Sequence, residues 1–361
     1  MSRTVMIMAG GTGGHVFPAL AIAETLRATR EIVWLGTQAG IEARLVPAAG
    51  YPVEWIEVEG LRGMGLGRWL AAPLRLLKAV AQARKALARR RPGVVLGLGG
   101  FASGPGGIAA WLAGTPLVVH EQNAVAGLTN RWLARFASFI AEGFPGSFPS
   151  SQRALYVGNP VRPDIASLPA PRQRFEPRNG PIRLFVFGGS QGALALNRLV
   201  PAAVALLPES RRPWVLHQTG TKDREATAAA YRAAGVQADV RPFIDDMAAA
   251  YANADLVISR AGASTVSELA AAGVGAILVP YPAAVDDHQT RNAEWLGRVS
   301  AAQVVAEAGL TAPELANRLA TLFGNDRARL LAMAEAARSL AVTDAARRVA
   351  DLCLQAEGGG A

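Results

Sequence analysis

Two glycine-rich segments stand where an apolar run gives way to a helix-forming one. Gly10-Gly11-Thr12-Gly13-Gly14-His15 follows Val5–Met8, and Gly188-Gly189-Ser190-Gln191-Gly192 follows the run 182–187. Glycine at such a junction lets the backbone approach a ligand, and the exposed N–H groups and helix dipole there favour a phosphate. Tight strand-to-helix packing also needs glycine, so either loop alone leaves both readings open. A third junction is Ser259-Arg260-Ala261-Gly262-Ala263-Ser264-Thr265-Val266-Ser267-Glu268. Its Thr265-x-x-Glu268 spells a helix capping box. The alternative is that Ser264 and Thr265 meet a phosphate while Glu268 accepts hydrogen bonds from a ribose diol.

A nicotinamide-cofactor dehydrogenase requires an acidic residue about 20 positions past the glycines, at the end of the second strand. After 32–35 this chain has Gly36-Thr37-Gln38-Ala39, and after 214–217 it has Gln218-Thr219-Gly220. Neither offers a carboxylate, which disfavours that class. Asp-x-Asp and His-x-x-x-His patterns are absent as well.

Short apolar runs alternate with helix-forming stretches around these junctions. Strands are expected at 5–8, 32–35, 94–98, 117–120 and 139–141, and a second series at 182–187, 214–217, near 240, 256–259 and 276–279. Helices are expected at 17–28, 193–207, 224–234 and through the tail 313–355. The rhythm predicts parallel sheets covered on both faces. Eight prolines between 142 and 181 suit an interdomain connection. With 361 residues and 51% hydrophobic content, two domains with separate cores are expected. The single cysteine, Cys353, excludes an intramolecular disulfide framework and fits a reducing cytosol. The uncharged stretch 92–119 is broken by glycines and prolines, so it reads as strands and loops of a soluble protein and not as a membrane span.

The net charge of +9 is localised. No acidic residue lies between Glu59 and Glu121, whereas nine basic ones do, and the remainder of the chain is balanced at 28 against 28. One basic segment points to one anionic surface or ligand and not to nucleic acid.

Eight segments in order resemble the UDP-N-acetylglucosamine transferases of peptidoglycan synthesis, a family of GT-B glycosyltransferases. They are 10–15, Gly99-Gly100-Phe101-Ala102-Ser103-Gly104-Pro105, His120-Glu121-Gln122-Asn123, Gly158-Asn159-Pro160-Val161-Arg162, 188–192, Phe243-Ile244-Asp245-Asp246-Met247, 259–268 and Asp287-His288-Gln289. The resemblance implies an α/β GT-B fold, two Rossmann-like domains facing each other across a cleft. Residues 1–162 would form the acceptor and membrane-facing domain and 163–342 the donor domain, with a C-terminal helix at about 343–361 packing back on the first. It also implies inverting transfer of N-acetylglucosamine from UDP-N-acetylglucosamine to lipid I, undecaprenyl-pyrophosphoryl-MurNAc-pentapeptide, without a cofactor or bound metal, on the cytoplasmic face of the cell membrane.

By that resemblance, Arg162 and Ile244 lie on the uracil side and Glu268 holds the ribose. Ala263 lines the pyrophosphate pocket with Ser264, Thr265, Val266 and Ser267, and Gly189, Ser190 and Gln191 serve the diphosphate. Gln289, with His288, reads the donor sugar. The alternatives are an interdomain salt bridge for Arg162 and a surface amide for Gln289. Thr12, Gly13, Gly14 and Asn123 bind substrate. The acceptor hydroxyl must lose a proton, and His15 is the candidate general base because imidazole titrates near neutrality; otherwise it hydrogen-bonds backbone or diphosphate. Glu121 is a second candidate base, or a buried carboxylate paired with Arg131 or Arg135. His120 is expected to support the Glu121 motif, and His217 to pack inside a strand.

The basic segment carries two helical stripes. Arg75, Lys78, Gln82, Lys85 and Arg89 form one, and Leu70, Leu74, Leu77 and Ala81 the other. Such a helix lies on an anionic leaflet, or its leucines pack on its own domain. Two rivals would leave the basic stripe or His15 without use: a GT-B transferase or UDP-sugar epimerase with a soluble substrate, and a nucleotide-sugar-binding regulator without chemistry.

Overall fold

The computed structural model describes residues 4–58, 72–189, 192–324 and 327–359, so Leu70, Ser190 and Gln191 lie outside the described residues. The chain divides into two compact units, Met1–Pro160 with Asp344–Ala361, and Val161–Thr343. In the first unit the strands are β1 (Thr4–Ala9), β2 (Glu31–Gly36), β3 (Val53–Trp55), β4 (Val94–Gly99), β5 (Leu117–Glu121), β6 (Phe139–Glu142) and β7 (Leu155–Tyr156). Its helices before the division are α1 (Gly13–Leu26), α2 (Glu42–Ala48), α3 (Ala72–Arg90), α4 (Ser103–Leu112) and α5 (Leu128–Leu133). The sheet order is β3-β2-β1-β4-β5-β6-β7, with parallel pairing throughout.

The unbroken apolar character of β1 follows from burial on both faces. Val5 and Ile7 enter one core with Val16, Ile22 and Val349, and Met6 and Met8 enter another with Val33, Ala83 and Leu133.

The second unit contains α6 (Pro163–Ala166), α7 (Pro171–Phe175), β8 (Arg183–Phe187), α8 (Leu194–Ala205), β9 (Trp214–Gln218), α9 (Arg224–Ala233), β10 (Ala238–Arg241), α10 (Met247–Asn253), β11 (Leu256–Ser259), α11 (Ala263–Ala272), β12 (Gly275–Leu278), α12 (His288–Gly297), β13 (Ala302–Val304), α13 (Ala312–Phe323) and α14 (Ala328–Ser339). Its sheet is parallel in the order β10-β9-β8-β11-β12-β13. The proline-dense stretch is thus not one connector. Residues up to Pro160 carry β7 and belong to the first unit, and Val161 and Arg162 belong to the second.

The helical tail consists of three helices. The last, α15 (Ala345–Gly358), is part of the first unit: Val349, Leu352, Cys353 and Ala356 share a core with Val16 and Ile22, and Arg30 pairs with Glu357 at 2.7 Å. Burial, with Glu357 second, pushes the Cys353 thiol up to about 12.

Each sheet reverses its winding once, between β1 and β4 and between β8 and β11. In such sheets ligands collect beyond the carboxyl ends of the strands at that point. Gly10–Gly14 follows β1, Gly99-Gly100 closes β4, Gly188–Gly192 follows β8, and Ser259–Gly262 follows β11. At Gly100, with φ +86°, an added Cβ would lie 2.8 Å from the Gly10 carbonyl carbon; at Gly114, with φ +68°, it would meet nothing within 4 Å. Gly114→Ala should cost only the left-handed penalty of about 1–2 kcal/mol. Gly100→Ala should cost clearly more in urea unfolding, and equal losses would show that the contact with Gly10 does not matter.

Candidate functional site

In the first unit, α1 opens directly on the glycine loop. Thr12 precedes it without a side-chain capping bond, and the first turn holds no acidic residue, so the charge at this helix start is the positive end of the helix dipole. His15 Nδ1 lies 3.1 Å from the Gly10 carbonyl oxygen and 3.3 Å from Thr12 Oγ1. A carbonyl can only accept, so this contact is a hydrogen bond when Nδ1 carries the proton, which leaves a lone pair on Nε2. A Cβ at Gly99 would stand 3.2 Å from that Nε2; glycine there makes room for the imidazole.

Glu121, at the end of β5, is buried and accepts four hydrogen bonds. The donors are Asn123 N (2.9 Å), Asn123 Nδ2 (3.1 Å), Gly127 N (3.0 Å) and Asn130 Nδ2 (2.9 Å). The expected pairing with Arg131 or Arg135 is not what is found, and Arg135 instead lies over the Trp132 ring. With these four hydrogen bonds accepted, Glu121 frames Asn123. His120 is buried, and burial pushes its imidazole down to about 4. Neutral, it donates from Nε2 to the Gly158 carbonyl at 3.0 Å and accepts at Nδ1 from Gln122 Nε2 at 3.1 Å.

In the second unit, Gly189 and Gly192 have φ of +95° and +76°, and a side chain at Gly192 would overlap the Thr219 carbonyl. Gln218 holds this loop from β9: its Nε2 donates to the Gly189 carbonyl at 3.0 Å, and its Oε1 accepts from Ile244 N at 3.3 Å. The position where a dehydrogenase has its ribose carboxylate is therefore occupied by a clamp between two loops. His217, pushed down to about 3 by burial, accepts at Nδ1 from the Tyr231 hydroxyl (2.9 Å) and donates from Nε2 to Asn197 Oδ1 (3.1 Å), and so is part of the core.

The capping-box reading of Thr265 and Glu268 fails. Gly262 is the N-cap of α11 without a side-chain bond, so Thr265 already lies inside the first turn and its hydroxyl cannot cap. Glu268 instead accepts from Arg162 Nε and Nη2 on Oε1, both at 3.1 Å, and from the Tyr251 hydroxyl on Oε2 at 3.1 Å. Burial pushes the Glu268 carboxyl up, and Arg162 and Tyr251 oppose it. The Arg162 salt bridge exists, but both partners belong to the second unit. Ala263, Val266 and Ser267 are buried, and Ser264 and Thr265 are half-buried at the helix start. Gln289 Oε1 accepts from Ala261 N (3.2 Å) and Tyr281 N (2.9 Å), which fixes the amide and directs its NH2 away from those groups. His288 is the first residue of α12, after Asp286 and Asp287, both at φ +52°.

The comparisons with known proteins agree with this architecture. Residues 5–141 match the glycosyltransferase family 28 N-terminal domain and residues 183–349 the family 28 C-terminal domain. The chain belongs to glycosyltransferase family 28. A relative from Nitrosococcus oceani, 55% identical over 99% of this chain and 100% of its own length, is named UDP-N-acetylglucosamine--N-acetylmuramyl-(pentapeptide) pyrophosphoryl-undecaprenol N-acetylglucosamine transferase. One from Aeromonas hydrophila with the same name is 56% identical over 98% of this chain and 97% of its own. The crystal structure of MurG from Acinetobacter baumannii superposes with a TM-score of 0.87 at 42% identity, covering 98% of this chain and 99% of that one. The calicheamicin glycosyltransferase CalG4, at 18% identity and TM-score 0.68 over 99% of both chains, shares the fold. The family 28 chain is therefore an α/β glycosyltransferase of the GT-B class.

Three residues of these sites escape the sequence patterns: Glu42, Gln218 and Tyr251. Tyr251 is fully buried, with ring centroids 5.8 Å from Phe185 and 6.0 Å from Phe187. Tyr251→Phe keeps the rings and removes one hydrogen bond from a buried carboxylate, which should cost about 1.5–3 kcal/mol. A urea midpoint equal to that of the wild type would remove the bond from the account.

Proposed function

We propose that this glycosyltransferase moves N-acetylglucosamine from UDP-N-acetylglucosamine to the muramyl 4-hydroxyl of lipid I, giving lipid II. The observation that carries the reading is full-length kinship with relatives named for that transfer. The acceptor oxygen bonds to the anomeric carbon from the face opposite the leaving group, the bond from that carbon to the β-phosphate oxygen breaks, and configuration inverts. His15 Nε2 takes the hydroxyl proton, with Nδ1–H held by Gly10 and Thr12. Thr12, Gly13, Gly14 and Asn123 bind acceptor.

In the second unit, Ile244 and Arg162 flank the uracil and Glu268 accepts from the ribose hydroxyls. Ser264, Thr265 and the start of α11, with the loop 188–192, receive the charge that develops on UDP. The Gln289 NH2, with His288, reads sugar hydroxyls. Purified protein incubated with UDP-N-acetylglucosamine and a lipid I analogue should release UDP only when the acceptor is present. Release without acceptor, or none, would overturn the assignment. His15→Ala should keep UDP affinity and lose about 10²–10⁴ in turnover. Because burial holds the Glu268 carboxyl above its ordinary value of 4.5 and the carboxylate is the stronger acceptor, with both oxygens open to a diol, UDP affinity should be full at neutral pH and decline on acidification with a midpoint above 4.5. A flat profile, or equal affinity for UDP and 2′-deoxy-UDP, would remove Glu268 from the ribose.

The lipid-linked acceptor gives the basic helix a role on an anionic membrane surface. The packed face of α3 is Ala79, Ala83, Ala86 and Leu87, whereas Leu74 is 72% and Leu77 65% exposed, which favours the membrane alternative for these two leucines. α3 packs on α4 and α4 on α5, and these add exposed Trp111, Leu112, Leu128 and Trp132. An exposed set of this kind marks an interaction surface, and tryptophans suit a membrane interface.

The basic stripe is partly neutralised from β3 and the residues after it. Lys78 pairs with Glu57 at 2.6 Å, and Arg89 and Arg90 pair with Glu54. Arg84 and Lys85 have no partner among the described residues. We therefore infer that peripheral attachment uses the apolar residues for insertion and Arg84 and Lys85 for charge. Changing both together to Gln should weaken binding to anionic vesicles by roughly tenfold to thirtyfold and leave neutral vesicles unaffected; unchanged binding to anionic vesicles would overturn the charge assignment.

A further inference from the structure

The peptide unit joining Gly10 and Gly11 is held from both ends. Its N–H, on Gly11, donates to Glu42 Oε2 at 2.9 Å, and its carbonyl, on Gly10, accepts from His15 Nδ1 at 3.1 Å. In a trans peptide these two groups point in opposite directions, so the carboxylate and the imidazole lie on opposite sides of one amide plane.

Glu42 is 1% exposed and forms no ion pair among the described residues. Its Oε1 accepts from Thr37 N (3.2 Å) and Thr37 Oγ1 (2.7 Å), and it is the first residue of α2, where the helix dipole favours negative charge. The surroundings are shaped to it. A Cβ at Gly10 would lie 2.7 Å from the Glu42 carboxyl carbon, and one at Gly40 would overlap the carboxylate. Gly11, at φ +85°, has open space around it, so glycine is required there by conformation and at Gly10 and Gly40 by the carboxylate. A buried anion without a cation is costly unless donors replace its water, and one of the three donors here is the amide that holds the imidazole.

We propose that Glu42 is a positioning residue that sets the tautomer of His15 through the intervening Gly10–Gly11 peptide. The carboxylate fixes the peptide plane and, by accepting from its N–H, polarises its carbonyl. The carbonyl then holds the proton on Nδ1 and keeps the Nε2 lone pair available. In a hydrolase triad the carboxylate touches the imidazole directly; here one amide stands between them. The inference rests on the reading of His15 as the base.

The test is ¹⁵N NMR of histidine-labelled full-length protein, with His15 assigned by its absence from the His15→Gln spectrum, alongside kinetics. Neutral His15 should be the Nδ1–H tautomer in the wild type. Glu42→Gln should let the Nε2–H form appear and lower kcat by about tenfold to hundredfold, with UDP affinity and the donor KM within twofold. Gly40→Ala, which displaces the carboxylate without removing its charge, should shift the tautomer in the same direction. An Nε2–H ring in the wild type, or a folded Glu42→Gln or Gly40→Ala with the wild-type ring and turnover, would overturn the proposal. If His15→Ala retains turnover, the base assignment falls, while the tautomer result, read without substrate, still reports on Glu42.

Discussion

The constraint on which the first unit depends is the close passage of the main chain at the end of β1 against the end of β4. Gly100 abuts Gly10 with no room for a side chain between them, and the Glu42 carboxylate closes the other side. The loop has no freedom to relax into solvent, so its N–H groups and His15 are held before any ligand arrives, and preorganisation of this kind is what an electrostatic or proton-transfer site requires. The second unit solves the same problem with different atoms. Gly192 lies against the Thr219 carbonyl, and Gln218 supplies one hydrogen bond to each of two loops.

Sequestered acids are kept in two ways. Glu42, Glu121 and Glu142 are buried in the first unit, and the partners of all three are neutral: backbone N–H groups, an asparagine amide or a threonine hydroxyl. Other acids face arginines: Asp255 meets Arg178 and Arg327 and the half-buried Glu268 meets Arg162, and in the first unit Glu54 meets Arg89 and Arg90 and Glu357 meets Arg30. A carboxylate held by backbone N–H groups dictates the path of the loop that supplies them. A carboxylate held by a guanidinium leaves the loop alone and can exchange one partner for another, as the ribose contact proposed for Glu268 requires.

The parallel sheets were legible because burial on both faces removes the polar alternation from each strand, and Val5–Met8 or Leu256–Ser259 then read as unbroken apolar runs. The glycine loops were legible as turns for a related reason, since a tight turn at a strand end is a local chain property; the role of His15 rests on the proposed function. The capping box at Thr265 stayed open in the sequence because the spacing is the same whether the helix is capped at Thr265 or three residues before it, and only the geometry of Gly262 decides. The basic stripe of α3 has the right periodicity, but Glu54 and Glu57 reach it from another element and cancel part of its charge. Glu42 and Tyr251 carried no signal. Their importance lies in what they touch: Gly11 is 31 residues from Glu42, and Glu268 is 17 from Tyr251.

The Glu42 contact also limits what the first glycine loop can bind. In a phosphate loop every N–H of the turn is a donor to the anion. Here the Gly11 N–H is already spent on a carboxylate, whereas those of Gly13 and Gly14 have no partner among the described residues. An anion approaching α1 is therefore drawn to the helix start and repelled from the strand end, where the imidazole lies against Gly10 and Gly99. That division separates a place for negative charge from a place for a neutral hydroxyl within one loop. A base that must take a proton from a sugar beside a diphosphate needs such a separation, because a phosphate on the imidazole would hold it as the imidazolium and remove the lone pair that the reaction uses.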